Sequence, residues 1–419
     1  MRAFTVLVML GSGLLLMQPV LAQAPPEGEL RKRVQDLEGQ VQDLRQELEK
    51  KQAPTRQEFH LLREAVEALK PGLENFLLTG YAFAEFREPE GDEDSTFATN
   101  FNPIFLWKLG ERLLFEAEME IEIEDGETEV GLEYAQILYI VHDYVTVGVG
   151  KFLLPAGIFP ERLHPAWITK LPTFPLPFQH HGGIVPFTDV GAQVRGGFPL
   201  GGVAKANYAI YVTNGPRLLT TGHHAGELRF DNTPDNNNSK AVGGRIGLLP
   251  IPALEVGFSY QWAEVGDGTF SDIDADLIIA DLSFVRDAEF LGGRVDLRFE
   301  WVRQKIDDAV YTVDDEAFAF DNEKKGWYVQ IAYRPTLLAI PILENLEGVF
   351  RYTRLDWAEG TPLEEEEPGE GVDREQFSIG LNYWLMPSAV VKIAYNINDN
   401  LDGAAGEDNL LVIQVAYGF

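Results

Sequence analysis

The clearest pattern in the chain is a strict alternation of apolar and acidic residues between Leu113 and Asp125. On an extended chain, one face of this segment carries Phe115, Ala117, Met119, Ile121 and Ile123. The opposite face carries Glu116, Glu118, Glu120, Glu122 and Glu124. Successive side chains of a strand point to opposite faces, so a period of two predicts a β-strand. Such a strand has water on its acidic face, and its apolar face contacts either a protein core or lipid. The pattern of the other strands distinguishes a soluble protein from a membrane protein.

The same alternation recurs from residue 76 to the last residue, Phe419, without a helical period. We predict about sixteen strands, at residues 76–88, 99–109, 112–125, 128–141, 144–154, 187–199, 202–213, 239–249, 253–265, 274–286, 291–305, 325–336, 345–357, 374–386, 388–398 and 409–419. Their connections alternate between short turns and long, polar or acidic segments, except that 126–127 is short where a long one is expected. Short turns at one rim, long loops at the other and an even strand count are typical of outer-membrane barrels. The sequence therefore predicts an all-β membrane protein with an antiparallel transmembrane β-barrel over residues 73–419, closed because an open edge in lipid leaves backbone groups unpaired.

Two segments precede the predicted barrel. Residues 1–22 combine Arg2, an apolar run and a small-residue cleavage site, which is typical of a secretory signal peptide. The apolar run is shorter than the ~20 residues that a membrane-spanning helix needs. Residues 23–72 contain valines and leucines spaced alternately by four and three, which predicts a short α-helical coiled coil that serves as a stalk. The alternative is one amphipathic helix that folds onto its own barrel.

The charge and composition exclude several classes of function. The net charge of −32 argues against a nucleic-acid partner, whose phosphates need basic residues. The chain contains no cysteine, so it has neither a disulfide framework nor a thiolate metal site. His180–His181 and His223–His224 are adjacent pairs that point apart on a strand and indicate no third ligand, so we expect no metal and no cofactor. The one alternative is that acidic loops, such as 88–94 and 364–367, bind divalent cations that bridge to anionic lipid.

If the apolar strand faces meet lipid, the polar faces line a lumen, and two sets of charged residues are expected there. The acidic set, on the third and fourth strands, comprises Glu116, Glu118, Glu120, Glu122, Glu124, Glu129 and Glu133. The basic set, on later strands, comprises Arg195, Lys205, Arg245, Arg294, Arg298, Arg351 and Lys392. An acidic wall that faces a basic wall selects solutes by charge. The alternative is that these residues form structural ion pairs between strands.

The connection at 155–186 is the longest and differs from the acidic loops, because it is rich in proline and aromatic residues. Proline stiffens a chain, and a surface loop has little use for so many rings. We therefore predict that this connection folds into the lumen and constricts it. Its polar groups, the candidate lining of the narrowest point, are Glu161, Arg162, His164, Lys170, His180 and His181.

Together the signal peptide, coiled coil, predicted strands and terminal Phe419 resemble the trimeric porins of Gram-negative bacteria. Gly148–Gly157 is similar to the segment that enters the constriction loop of the phosphate-selective porin O and P family, and Asp189–Gly196 is similar to the strand that follows that loop. The resemblance implies a homotrimer in the cell outer membrane, with its stalk in the periplasm and its barrel in contact with outer-membrane lipid and lipopolysaccharide. It also implies an anion path lined by lysine and arginine, from which the glutamate-rich third and fourth strands depart.

We therefore expect a porin for passive diffusion of small hydrophilic solutes or ions. A weak cation preference is expected, because the charges of the two walls nearly cancel and the acidic loops then set the potential at the mouth. The first alternative is an anion- or phosphate-selective porin. The second is a barrel that anchors an envelope tether, although a coil of this length reaches less than ~60 Å. An enzyme in the barrel wall needs a Ser/His or Asp/His constellation near one rim, and the sequence indicates none.

Overall fold

The computed structural model describes residues 75–91, 94–124, 127–222, 224–230, 236–313, 316–338, 340–359, 372–401 and 409–419. The predicted signal peptide and coiled-coil stalk lie outside the described residues. Among the residues described, no helix is long and apolar enough to cross a membrane.

The described part of the chain is built almost entirely from strands. In chain order these are β1 (Phe76–Pro89), β2 (Thr96–Leu109), β3 (Leu113–Glu124), β4 (Glu127–His142), β5 (Val145–Leu153), β6 (Thr188–Gly201), β7 (Ala204–Thr213), β8 (Arg217–Leu218), β9 (Leu228–Arg229), β10 (Ala241–Ile251), β11 (Leu254–Glu264), β12 (Asp274–Ala288), β13 (Gly293–Ile306), β14 (Val310–Val313), β15 (Glu316–Ala319), β16 (Glu323–Arg334), β17 (Leu346–Asp356), β18 (Arg374–Met386), β19 (Ala389–Asn400) and β20 (Leu410–Gly418). Short helical turns lie at Phe159–Leu163, Leu176–Phe178, Gly268–Phe270, Glu289–Leu291 and Pro341–Glu344.

Within these residues, sixteen antiparallel strands form a closed barrel. Each barrel strand pairs with the next one along the chain, and β20 pairs with β1. The hairpins β8–β9 and β14–β15 lie outside the barrel, within long connections. The predicted closed barrel of about sixteen strands is therefore confirmed, and the two hairpins are elements that the sequence did not indicate.

Alternate side chains along each barrel strand point outward and into the lumen. In β11, Phe258 and Tyr260 are exposed on the outside, whereas Ser259 and Gln261 are buried inside. In β20, Val415 is exposed outside and Gln414 is buried inside. The barrel thus has an apolar outer surface and a polar inner surface, which is the arrangement that a transmembrane barrel needs.

The barrel closes where the last residues meet β1. The N–H of Phe419 donates to the carbonyl of Gly80 at 2.9 Å, and the N–H of Gly80 donates back at 3.2 Å. Gly80 has a φ of +146°, and a Cβ there would lie 2.1 Å from the carbonyl oxygen of Asn102. Only glycine permits this close approach of β2 to β1.

The two rims of the barrel differ in the lengths of their connections. At the rim that holds both ends of the described chain, β3 follows β2 after three residues, and β5 follows β4 after two. The opposite rim holds the connection 154–187, between β5 and β6, and the connection that contains β8 and β9. We call the first the short-turn rim and the second the long-loop rim.

Candidate functional site

The connection between β5 and β6, residues 154–187, packs against inward-facing side chains of the barrel, and we call it the inner loop. Its Phe159 and Phe178 share one apolar cluster with Ile279 of β12, Val302 of β13 and Leu355 of β17. The ring centroids of Phe159 and Phe178 are 5.2 Å apart. The apolar residues of this loop therefore have partners inside the barrel, which accounts for their number.

Polar side chains of the wall hold the inner loop by its backbone carbonyls. Arg351 of β17 is fully buried and donates to the carbonyls of Thr173 at 2.7 Å and Phe174 at 3.2 Å. Three further donors act in the same way. These are Arg374 to the carbonyl of Gly182 at 2.9 Å, Gln304 to Ile184 at 2.8 Å and Asn382 to Lys170 at 2.9 Å. Lys392 donates to the carbonyl of Ala166 and to Gln414.

A buried carboxylate fixes the start of the inner loop. Glu300 of β13 accepts hydrogen bonds from the N–H of Ile158 at 2.7 Å and the hydroxyl of Tyr328 at 2.8 Å. Gly157 has a φ of +77°, and a Cβ there would lie 2.1 Å from the Glu300 carboxylate. Glycine at this position therefore allows both the turn and the approach of the carboxylate.

Three charged residues of the inner loop form ion pairs with the wall. Arg162 donates to both oxygens of Glu255, at 3.1 and 3.0 Å. Lys170 donates to Glu347 at 2.8 Å. Glu161 lies 2.5 Å from Arg195. Each of these loop charges is thus compensated by the wall.

The three predicted histidines of the loop have different surroundings. His164 is buried, and its Nδ1 lies 2.6 Å from the carbonyl of Pro160, so Nδ1 carries the proton. Burial lowers the pKa of His164 to about 4, which leaves the ring neutral at pH 7. His180 and His181 are exposed, with the His180 ring 4.7 Å from that of Phe187. In the described residues, no group of three or more His, Asp or Glu side chains has metal-binding geometry.

The predicted basic residues of the wall all occupy inward positions, and most contact acceptors. Arg245 of β10 is buried between Asp281 at 2.6 Å and Glu255 at 3.1 Å. Arg298 lies 2.6 Å from Asp296, and Arg294 lies 2.9 Å from Asp287 at the short-turn rim. Arg195 pairs with Glu161, whereas Arg351 and Lys392 bind the inner loop, as described above. Lys205 is exposed near the short-turn rim.

The predicted acidic residues of β3 have neutral partners instead. Gln136 donates to Glu116 at 2.7 Å, Asn102 to Glu118 at 3.3 Å and Asn100 to Glu120 at 3.0 Å. Glu118 also accepts hydrogen bonds from the phenols of Tyr81 and Tyr134. In the described part of the chain, no lysine or arginine forms an ion pair with these three glutamates.

The remaining acidic residues lie further along the same wall. Glu122 of β3 is directly opposite Glu129 of β4. Glu133 is the extra residue of a β-bulge, because Tyr134 lies opposite Glu118 while Leu132 lies opposite Met119. The side chain of Glu124 lies outside the described part of the structure.

A cavity of about 300 Å³ lies between the inner loop and the wall of β6, β7 and β10. Its lining includes three arginines, Arg162, Arg195 and Arg245. Their carboxylate partners are Glu161, Glu255 and Asp281. Three positive and three negative side chains therefore balance at this cavity.

Several residues of the lumen were missed by the sequence interpretation. Tyr81, Asn100 and Asn102 surround the glutamates of β3, and Glu255 holds two arginines. The alternation of β1, β2 and β11 places each of these four on the inner face. That signal was available, but periodicity alone does not indicate which inner residues touch.

The fold is similar to that of solved outer-membrane porins. Salmonella typhi OmpF, in a complex with daunomycin, is 13% identical with a TM-score of 0.54, and the match covers 82% of this chain and 97% of that one. Pseudomonas putida OprB, in its high-pH structure, is 11% identical with a TM-score of 0.53, and the match covers 83% of this chain and 94% of that one. At these identities the likeness shows the fold alone. No protein-family model matches the sequence, and no curated protein matches it.

Proposed function

We propose that the protein is a porin in the outer membrane of a Gram-negative bacterium, through which small hydrophilic solutes and ions diffuse passively. The observation that carries the proposal is the inner loop, which occupies part of a charged lumen, while Glu116, Glu118 and Glu120 of β3 accept hydrogen bonds from neutral amides. A pore that is narrowed by a loop and lined with charge limits solutes by size and sign. The solved porins that share this fold support the location and the class of function.

We propose a weak preference for cations. Most of the basic side chains in the lumen contact carboxylates or loop carbonyls, whereas Glu116, Glu118 and Glu120 contact neutral donors. These three glutamates therefore add negative potential to the part of the lumen that they line. Exposed charges act over ~8 Å at physiological salt, so the preference should fade as salt rises.

Phosphate selectivity is the alternative that the resemblance to the porin O and P family suggests. A phosphate path needs arginines or lysines with donors directed at the solute. The arginine-rich cavity is the best candidate for such a path. However, Glu255 accepts hydrogen bonds from Arg162 and Arg245, Asp281 accepts from Arg245, and Glu161 forms an ion pair with Arg195. The paired state of these arginines favours the cation-preferring porin over the phosphate-selective one.

The oligomeric state and the lipid partners of the barrel form a second part of the proposal. We propose a homotrimer that contacts outer-membrane lipid and lipopolysaccharide, with residues 23–72 as a periplasmic stalk. Native mass measurement of the detergent-solubilised chain, with residues 23–72 intact, should give three copies. A monomer at micromolar concentration would count against the trimer.

The deciding experiment is conductance in a planar lipid bilayer with a salt gradient. A porin gives stepwise, ohmic current, and a weak cation preference gives a small reversal potential of the corresponding sign. A strongly anion-selective current that phosphate blocks would favour the alternative porin. Purified, β-rich protein that inserts but conducts nothing would favour a barrel that only anchors an envelope tether.

A further inference from the structure

A second cavity, of about 310 Å³, lies between the inner loop and the wall of β13, β16 and β18, and we call it the Trp167 cavity. Two of its wall residues, Arg298 and Gln330, lie directly opposite each other on β13 and β16. Both are closer to the short-turn rim than Val302, which belongs to the apolar cluster of the inner loop. The Trp167 cavity therefore lies on the short-turn side of that cluster.

The side of the cavity that the inner loop forms is mostly apolar. Leu163, Trp167 and Ile168 line it. The indole of Trp167 packs against the backbone of β20, because a Cβ at Gly418 would lie 2.8 Å from Cε2 of the ring and 2.9 Å from Cδ2 and Nε1. Glycine at position 418 thus lets the ring lie against the strand. Trp167 is half-buried, and the rest of its surface gives the cavity a flat apolar side.

The side that the barrel wall forms is polar, and its charges are paired. Arg298 donates to both oxygens of Asp296, at 2.6 and 3.1 Å. Lys170, which also lines the cavity, donates to Glu347 at 2.8 Å. Because each of these cations has a carboxylate partner, an ion of either sign gains little net attraction here. A hydroxyl group both donates and accepts, so it can bind the amide of Gln330 and the remaining N–H groups and lone pairs of the Arg298–Asp296 pair.

A ligand that fits both sides needs a flat apolar face and a rim of hydroxyl groups. A linear polyol lacks the face, and an aromatic hydrocarbon would cover polar groups such as Asp296 and Gln330, which are 9% and 8% exposed, without hydrogen-bonding them. A sugar ring has both features, since its C–H groups form a face and its hydroxyls point outward. The volume is at the lower end of the range for ligand cavities, which fits one ring rather than a chain of rings.

We infer that the Trp167 cavity binds a neutral monosaccharide in its pyranose form. The C–H face of the sugar packs on Trp167, and its hydroxyls bind Gln330 and the Arg298–Asp296 pair. The inference rests on the proposed function and gives it a class of solute, because the sugar reaches the cavity through the lumen.

The test uses the full chain, solubilised in a detergent without a sugar headgroup, and saturation-transfer NMR, which detects weak binding through the protons of the sugar. D-Glucose, D-galactose and D-mannose are titrated separately, with acyclic D-glucitol as the control ligand. At least one hexose should give saturable transfer, with half-saturation about fivefold or more below that of D-glucitol. The ring C–H protons of one face should receive most of the transfer.

Two variants test the two sides of the cavity. Gln330→Leu should raise the half-saturating concentration about fivefold, as expected for one lost hydrogen bond. Trp167→Leu should raise it about fivefold or more, because the flat apolar side is lost. Trp327→Leu is the matched control, since it makes the same substitution on the outer face of β16, where the ring contacts Tyr352. It should change the half-saturating concentration less than about twofold.

Equal effects of Trp167→Leu and Trp327→Leu, with none from Gln330→Leu, would place the sugar elsewhere and overturn the inference. D-Glucuronate that binds about tenfold more tightly than D-glucose would overturn it in another way, by assigning the cavity to anions. A chain that conducts in planar bilayers but gives no saturable transfer with any of the three hexoses would also overturn it and leave the porin intact. A chain that binds a hexose but never conducts would keep the site and refute the proposed function.

Discussion

Replacing Arg351 by methionine should loosen the inner loop without removing it. In the native protein the guanidinium donates to the carbonyls of Thr173 and Phe174 and to the Thr173 hydroxyl, at 2.7, 3.2 and 2.9 Å. Methionine keeps much of the volume and removes every donor, so two part-buried loop carbonyls lose this partner. At about 1–3 kcal/mol for each, the docked state loses about 2–6 kcal/mol, and the relieved burial of a charge offsets part of that loss.

We expect a net weakening of about 2–3 kcal/mol, which raises the population of locally released loop roughly 30-fold or more. The other tethers, from Glu300, Gln304 and Arg374, keep the loop inside most of the time. The measurable result is therefore more frequent opening rather than a permanently wide pore.

The absence of native cysteine provides a direct assay. A single cysteine at Phe174 reports loop release through its rate of reaction with a thiol reagent, and single-channel recordings report the matching current fluctuations. Arg294→Gln is the control, because Arg294 pairs with Asp287 at the short-turn rim. Equal labelling rates with arginine and with methionine at position 351 would refute the reasoning, since they would mean that the guanidinium does not hold the loop.

Three further predictions follow from the same wall and loop. Deletion of Leu163 to His181 should raise single-channel conductance, and an unchanged conductance would place this segment outside the current path. Replacing Glu118, Glu120 and Glu122 together by glutamine should shift the reversal potential in a salt gradient toward anion preference. Replacing Arg294, Arg298 and Arg351 by alanine should shift the reversal potential toward cation preference. A reversal potential that responds to neither set would contradict the proposed origin of selectivity. Burial lowers the pKa of His164 from 6.5 to about 4. The neutral ring therefore favours the docked loop fully at pH above about 6.5. As the pH falls toward 4, the free energy of docking weakens by at most about 3 kcal/mol. Current fluctuations should therefore increase over that range, and His164→Phe should flatten the increase relative to the native chain.

Alternation along the chain predicted the barrel because each strand has an apolar outer face and a polar face toward the lumen. Phe258 and Ser259, or Gln414 and Val415, could be assigned to opposite faces from their order alone. Local irregularities carry no such signal. The bulge at Glu133 adds one residue to β4, and the hairpin β14–β15 sits in a connection whose composition indicated only exposure to solvent.

The contacts in the lumen were harder to predict than the faces. Arg245 meets Asp281 two strands away and Glu255 on the adjacent strand, a grouping set by the relative shift of β10, β11 and β12. A shift of two residues would keep every side chain on its face and change every pair. Sequence periodicity is insensitive to such shifts. It could predict that Arg245 and Arg351 face the lumen, but not that Arg245 pairs with carboxylates whereas Arg351 binds the inner loop.

The pairing of β20 with β1 also constrains how the molecule can assemble. Gln414 and Glu85 are hydrogen-bonded at 2.7 Å although they are 329 residues apart in sequence. The seam therefore forms only after the C-terminal end of the chain has been delivered, and contacts of such long range are slow to form. Until then β1 has an unpaired edge, which is a template for association with other chains. A chain that lacked its last strand would therefore not form a slightly smaller channel. It would form an open sheet, in which the backbone groups of β1 and β19 are unpaired and can bind the strands of other chains.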